Sequence, residues 1–346
     1  MSDRDPYPIA AQAAAALDAH LAANGSSAEL FAQHLHTQRV PLRALNLTDM
    51  AHIEFRQREP LLAPWLCTQD LAMVFAPRGI GKTHFAMSVA YAVASGGSFA
   101  KWQAPQPQRV LYLDGELPGS VMKSRLAVHL PDQPFDPDNL RTFTPDLLAD
   151  DHALPDLSTR AGQAEVEPML QDAKLVVVDN LSAWARTGNE NEAESWLTVS
   201  EWLLSLRRRG MAVLLVHHAN KNGQQRGTSK REDLLDVVIK MARPADYDPK
   251  QGAVFEAEFT KARHLMGTDA ETLEMTLAGE ETQAVWTWRT AENGTYSRVL
   301  RLAKEGLTPA EICEELDIHK SRVSRHLRRA RESGELSAAD VKGAAS

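Results

Sequence analysis

The stretch Ala76-Pro77-Arg78-Gly79-Ile80-Gly81-Lys82-Thr83 limits what this chain can fold into more than any other segment. It follows a short apolar run at 71–75 and opens a helical pattern over 82–95. Except for Ala76 in place of the first glycine, it fits GxxxxGK[ST]. In that turn backbone N–H groups close around phosphate oxygens at a helix N-terminus. Gly79 and Gly81 remain where the turn is tightest, so the departure at Ala76 costs the pattern more than the physics. Lys82 is placed to reach the β- and γ-phosphates of a nucleotide such as ATP, and the Thr83 hydroxyl to ligate Mg²⁺. Residues 76–84, ending in His84, are the candidate nucleotide-binding segment.

Three further apolar runs, at 109–113, 174–178 and 211–216, read as strands buried on both faces. Helical patterns at 119–129 and 190–208 lie between them. This alternation predicts a mostly parallel sheet covered by helices on both sides. Ligands meet such sheets at the C-terminal ends of the strands. There Asp179 is the candidate Mg²⁺ carboxylate, acting through water. Asp114 and Glu116 flank a glycine at another strand end, and Glu116 is the preferred general base for the attacking water. His217 and His218 close a fourth run. Adjacent strand residues point to opposite faces, so the pair cannot share one metal. One of them, taken as His218, is a candidate γ-phosphate sensor, and the other a core histidine.

Residues 131–168 hold six prolines and seven aspartates and read as a solvated excursion with a short strand near 140–144. After Lys240 the pattern alternates, at 253–260 and 284–288, as antiparallel strands extending the sheet do. The segment 291–295 is turn-like and predicts a linker to a last helical unit at 296–336. The expected organisation is therefore 1–58, helical in part at 10–23 and of unassigned role; a nucleotide domain at 59–290; a DNA-binding unit at 296–338; and a tail at 339–346.

Composition matters here for what it excludes. Cys67 and Cys313 are the only cysteines, far apart and without zinc-ligand spacing, which predicts a reducing, cytoplasmic setting and no disulfide framework. No apolar stretch reaches the roughly 20 residues of a membrane span. With 46 acidic against 38 basic residues the net charge is −8, which argues against a uniformly basic coat for nucleic acid. Residues 319–331 break that average: Lys320, Arg322, Arg325, Arg328, Arg329 and Arg331 stand there with no acid among them.

Those bases lie in a helix-turn-helix pattern. Thr308, Pro309 and Glu311 form an N-cap, first helical position and capping box. Ile312, Cys313 and Leu316 give one apolar face, and 317–319 make the turn. Val323, Leu327 and Ala330 recur at helical spacing in the second helix. Ser321, Arg322 and Arg325 are candidates for base edges in a major groove and Arg328 and Arg331 for phosphates; Lys320 and Arg329 are further candidates for contact with DNA. The thirty residues resemble winged helix-turn-helix domains of bacterial DNA-binding proteins.

Taken together, APRGIGKTH, YLDGELP, LVVVDNLS, LLVHHANK and RGTSKREDLLD resemble RecA-superfamily ATPases over about residues 60–290. The likeness runs to the hexameric replicative helicases of plasmids, the RepA type, and more distantly to DnaB-type helicases. Asn180 after Asp179, where an AAA+ motif has Glu, fits the RecA plan with its base at Glu116. The resemblance implies a RecA-like fold, ATP and Mg²⁺, a ring of identical subunits, and cationic fingers reaching a neighbour's nucleotide. Arg226 matches the RepA-type finger segment, and Lys261 with Arg263 the DnaB-type pair; the choice between them stays open. The stretch 221–232 corresponds to a channel-lining loop, where Lys221 and Lys230 would touch single-stranded DNA, or to a solvated loop. The implied function is a ring-forming replicative DNA helicase of a plasmid or other mobile element. The alternative is a DNA-bound regulatory ATPase or recombination mediator that assembles on DNA without unwinding it.

Overall fold

The computed structural model describes residues 44–130, 135–186, 192–219, 230–244, 247, 252–278 and 285–336. The chain divides into two compact units, Met1–Glu59 and Pro60–Ser346. In the first, the described chain carries one short helix, α1 (Leu47–Ala51), whose N-cap Asn46 side chain accepts from Asp49 N at 2.8 Å. The helical stretch expected at 10–23 lies outside the described residues.

The second unit is built on a nine-stranded sheet. Its members are β3 (Leu71–Ala76), β6 (Val110–Asp114), β7 (Leu140–Phe143), β8 (Leu175–Asp179), β9 (Ala212–His218), β10 (Val237–Ala242), β11 (Ala253–Ala262), β12 (Leu273–Ala278) and β13 (Val285–Thr290). Two small ribbons, β1 (Pro60–Leu62) with β2 (Leu66–Cys67) and β4 (Ser98–Phe99) with β5 (Trp102–Gln103), stand apart from it. The strand order is β13-β12-β11-β10-β3-β9-β8-β6-β7. From β10 to β7 all pairings are parallel, and from β10 to β13 all are antiparallel. This is the mostly parallel plan with an antiparallel extension that the hydrophobic pattern predicts.

Burial on both faces explains the unbroken apolar strands. On β3, Ala72, Val74 and Ala76 join the core under α2 (Lys82–Ser95), while Leu71, Met73 and Phe75 join the opposite core. That second core receives Val166 and Leu170 of α4 (Arg160–Leu170) and Val199, Trp202, Leu203 and Leu206 of α6 (Glu192–Arg208). The α6 residues recur at i, i+3, i+4 and i+7, one stripe of a helix, and each buried Leu or Val is worth about 1.5–3 kcal/mol. Remaining helices are α3 (Gly119–Val128), α5 (Leu181–Trp184) and α7 (Lys230–Asp233). No helix among the described residues is long and apolar enough to cross a membrane.

Three readings need correction. The solvated excursion ends earlier than expected, because Thr159 caps α4 through Gly162 N at 3.0 Å; the density of Pro and Asp before it hides a helix with an apolar stripe. Residues 237–242, passed over as strand, run parallel to β3, from Val237↔Ala72 to Lys240↔Phe75. The expected linker at 291–295 is instead the first turn of α8 (Ala291–Lys304), capped by the Thr290 side chain, which accepts from Asn293 N at 3.2 Å.

Helices α8, α9 (Pro309–Leu316) and α10 (Lys320–Glu332) enclose their own core of Val299, Leu302, Ile312, Leu316, Val323 and Leu327. The Thr308–Glu311 capping box forms as predicted, and Asp317 turns the chain in the left-handed region at φ 47°. Among the described residues, which end at Leu336, no wing strand follows the three helices. The trio is docked on the sheet by charge. Glu274 of β12, 5% exposed, is held by Arg298 of α8, 14% exposed, and by Arg289 of β13. Gly294 faces this clamp so closely that a Cβ there would lie 2.5 Å from a Glu274 carboxylate oxygen.

Candidate functional site

The site is assembled at the C-terminal ends of β3, β9, β8 and β6. Leaving β3 at Ala76, the chain passes through Gly79 at φ 76° and Gly81 at φ 110°, conformations that favour glycine, and enters α2 at Lys82. Nothing lies within 4 Å of a Cβ built on Gly79, so the loop's mouth is open. Lys82 is 6% exposed and its Nζ donates to Ala76 O at 3.0 Å and Pro77 O at 2.9 Å. Burial lowers its pKa to about 8, although Asp179 and Glu116 pull the other way. The ammonium thus rests on the loop's own carbonyls, waiting for stronger acceptors.

Asp179 ends β8, one strand removed from β3 in the sheet order. It accepts from Tyr112 Oη at 2.7 Å and from the Thr83 side chain, and burial raises its pKa. Thr83 and Asp179, predicted to share one Mg²⁺, are therefore already in contact. Among the described residues no group of three His, Cys, Asp or Glu could hold a metal. The donors present suit an ion completed by phosphate oxygens and water, as Mg²⁺ is at phosphate sites. Tyr112 escaped the sequence reading: its buried hydroxyl, in the middle of an apolar run, needed a partner.

The two carboxylates after β6 separate cleanly. Asp114, 1% exposed, accepts from Leu117 N at 3.0 Å and Thr144 Oγ1 at 3.2 Å, and burial raises its pKa to about 6 despite those bonds. It builds the turn. Glu116 projects instead, its side chain 53% exposed and 3.9 Å from His218 Nε2. His218 also meets Asn180 Nδ2 at 3.2 Å, whereas His217, 2% exposed, lies on the other face. Glu116, His218 and Asn180 thus flank the open side of the loop.

Two features had no motif to announce them. Arg243, following β10, donates to Gly79 O at 3.3 Å and Val254 O at 2.6 Å and lies 4.0 Å over the Tyr247 ring. Behind the loop, His84 Nδ1 is 2.8 Å from His129 Nε2, and His129 Nδ1 is 3.2 Å from Ser88 Oγ. Trp286 of β13 donates to Ser88 Oγ at 2.8 Å. Burial lowers both histidines to about 4, so the pair is neutral near pH 7. His84 therefore faces away from phosphate into this network rather than serving as a cation there.

The expected fingers stand elsewhere. Lys261 pairs with Val238 and donates to Glu232 O; Arg263 donates to Asp236 Oδ1 at 3.3 Å and Asp233 O at 3.0 Å. Both are at the N-terminal end of β3 and β10, opposite the chain's own phosphate loop. Arg226 and Lys221 lie outside the described residues, as does the Lys230 side chain.

On α10, Val323, His326, Leu327 and Ala330 are buried. At 100° per residue Ser321, Arg325 and Arg328 point outward, with Lys320, Ser324 and Arg331 on one flank and Arg322 and Arg329 on the other. Arg322 departs from its expected base-reading position. It donates to Glu292 Oε2 at 3.1 Å and Thr295 Oγ1 at 3.3 Å, both on α8. Arg329 covers the Tyr296 ring at 4.3 Å.

No curated protein matches the chain. Among solved structures it is similar to the KaiC-like protein PH0186 of the hyperthermophilic archaeon Pyrococcus horikoshii OT3. Identity is 13%, over 66% of this chain and 93% of that one, with a TM-score of 0.46. A homeodomain-like domain matches residues 297–339, covering α9, α10 and the C-terminal half of α8. The AAA domain matches residues 37–224, more than half of the chain, with the phosphate loop, Glu116, Asp179 and His218 all inside it. The chain belongs to the AAA domain family.

Proposed function

We propose that this protein hydrolyses ATP at the Lys82 loop while bound to DNA through α10, and that it works as a ring-forming replicative helicase of a plasmid or other mobile element. Lys82 and the loop amides hold the β- and γ-phosphates, and Thr83 with Asp179 would hold Mg²⁺. When bound, the ion neutralises charge on the phosphate oxygens. Glu116 accepts a proton from the attacking water, and His218 with Asn180 orients groups near the γ-phosphate. The observation that carries the ring reading is the position of Lys261 and Arg263. At the opposite end of the strands they are out of reach of their own loop, which supports a role toward a neighbouring chain's nucleotide, where a guanidinium fork suits the transferring phosphoryl group. Mass measurement with and without ATP, on samples also assayed for unwinding of forked DNA, tests it. A monomer under all conditions refutes the ring.

A second reading has its own support. Helix α8 begins where β13 ends, so the DNA-binding helices are rigidly joined to the ATPase sheet. This suits a duplex-bound regulator whose ATP cycle controls assembly. ATP-dependent oligomers that bind duplex DNA without opening forks would select it.

A further inference from the structure

The flank of α10 that carries Arg322 faces the ATPase sheet. There Glu256, Glu258, Glu271, Glu292 and Arg322 line a cavity of about 350 Å³. Glu292, in the first turn of α8, reaches two arginines and a histidine of α10. Its two oxygens take Arg322 Nη2 at 3.1 Å and Arg325 Nη2 at 2.7 Å, and His326 Nε2 lies 3.5 Å away. Burial works against its charge, but the Arg325 hydrogen bond and the neighbouring cations outweigh that and lower its pKa. One carboxylate thus gathers two guanidinium groups as a DNA phosphate would.

We propose that Glu292 occupies Arg322 and Arg325 in place of a DNA phosphate, so that these arginines engage a duplex only when the carboxylate is displaced. The inference rests on the reading of α10 as the DNA-contacting helix. A phosphate brought to Arg322 without that displacement would meet Glu256, Glu258, Glu271 and Glu292 together, an arrangement of like charges. Among the described residues, the other flank carries no such obstacle. Arg328 is 74% exposed, and its one described ion pair, with Glu332, is long at 3.8 Å and equally exposed. Duplex DNA therefore first docks on the Lys320, Ser324, Arg328 and Arg331 side. Contacts by Arg322 and Arg325 are added only where the site's sequence repays the loss of Glu292, which makes Glu292 a discriminator against non-specific DNA.

The test uses the full chain, Glu292→Gln, Glu258→Gln and Arg328→Ala, each measured for binding to duplex DNA across a salt series and for elution from heparin. Glu292→Gln should tighten non-specific duplex binding roughly tenfold and steepen the slope of log K against log salt by about one to two units, since two more cations become available. It should also elute later from heparin. Glu258→Gln, which touches neither arginine, should give a smaller gain. Unchanged or weaker binding by Glu292→Gln, with Arg328→Ala still weakening the duplex, overturns the proposal and leaves the DNA reading standing. Equal failure of the parent and all variants to bind duplex or heparin refutes the DNA reading itself, and this inference with it.

Discussion

Replacing Arg298 with Ala should loosen the joint between the DNA-binding helices and the sheet by about 2–3 kcal/mol. The carboxylate it serves, Glu274, is 5% exposed and keeps only Arg289, 45% exposed, after the change. Two unit charges about 4 Å apart attract by roughly 4 kcal/mol at an effective dielectric constant near 20. Removing one partner of a buried pair costs about 3–5 kcal/mol. Arg289 and entering water offset part of that, which gives the lower figure. Urea unfolding followed through tryptophan fluorescence reads the site directly, because Trp286 and Trp288 stand on β13 beside the clamp. With a slope of about 2–3 kcal/mol per M the midpoint should fall by about 1 M. Glu274→Gln combined with Arg298→Ala should cost at least about 1 kcal/mol less than the sum of the single changes, as interacting groups do. A loss below about 0.5 kcal/mol for Arg298→Ala, or strict additivity in the double variant, would show that the clamp does not hold the joint.

Further outcomes follow from the site. Lys82 has a pKa of about 8, and the phosphates of bound ADP should raise it. Binding at pH 8.5 should then take up a proton that binding at pH 6.5 does not, and affinity should fall as pH rises through 8. Calorimetry in two buffers of different ionisation enthalpy measures this, and uptake that persists in Lys82→Ala assigns the proton elsewhere. Glu116→Gln should keep nucleotide binding and slow hydrolysis by about 10²–10⁴; a normal rate removes Glu116 from the role of base. Gly294→Ala would ordinarily add about 1 kcal/mol to a helix. Here it should lower the melting temperature, because the new Cβ would displace the clamped Glu274, and a rise would contradict the packing.

The positions of the phosphate loop, Thr83, Asp179 and Glu116 at strand ends are legible because each is fixed by its place along one strand or turn. The four parallel strands read from apolar runs also hold, since burial on both faces leaves an unmistakable pattern. What the sequence hid was contact across the sheet. Tyr112 matters only because β6 lies beside β8, and Arg243 only because β10 lies beside β3, some 160 residues earlier in the chain. Arg322 looked like a base reader on its own helix, and the opposing Glu292 sits 30 residues away. Ala-Glu-Asn-Gly-Thr read as a linker because Asn and Gly dominate turn statistics. Thr290 as a cap and Glu274 as a neighbour turn the same residues into a helix. Local chemistry was readable, and pairing across elements was not.

The missing linker has a geometric consequence. Thr290 is at once the last residue of β13 and the cap of α8, so no slack separates sheet from DNA-binding helices. With Arg298 anchored to Glu274, each residue inserted in α8 beyond that point would turn the rest of the helix by 100° and advance it 1.5 Å. The bearing at which a duplex lies against the ATPase sheet is thus counted in residues. Among descendants of this chain, the junction should tolerate substitution far better than any change in length. A phase error of one residue would aim the same intact helices in a different direction from the sheet.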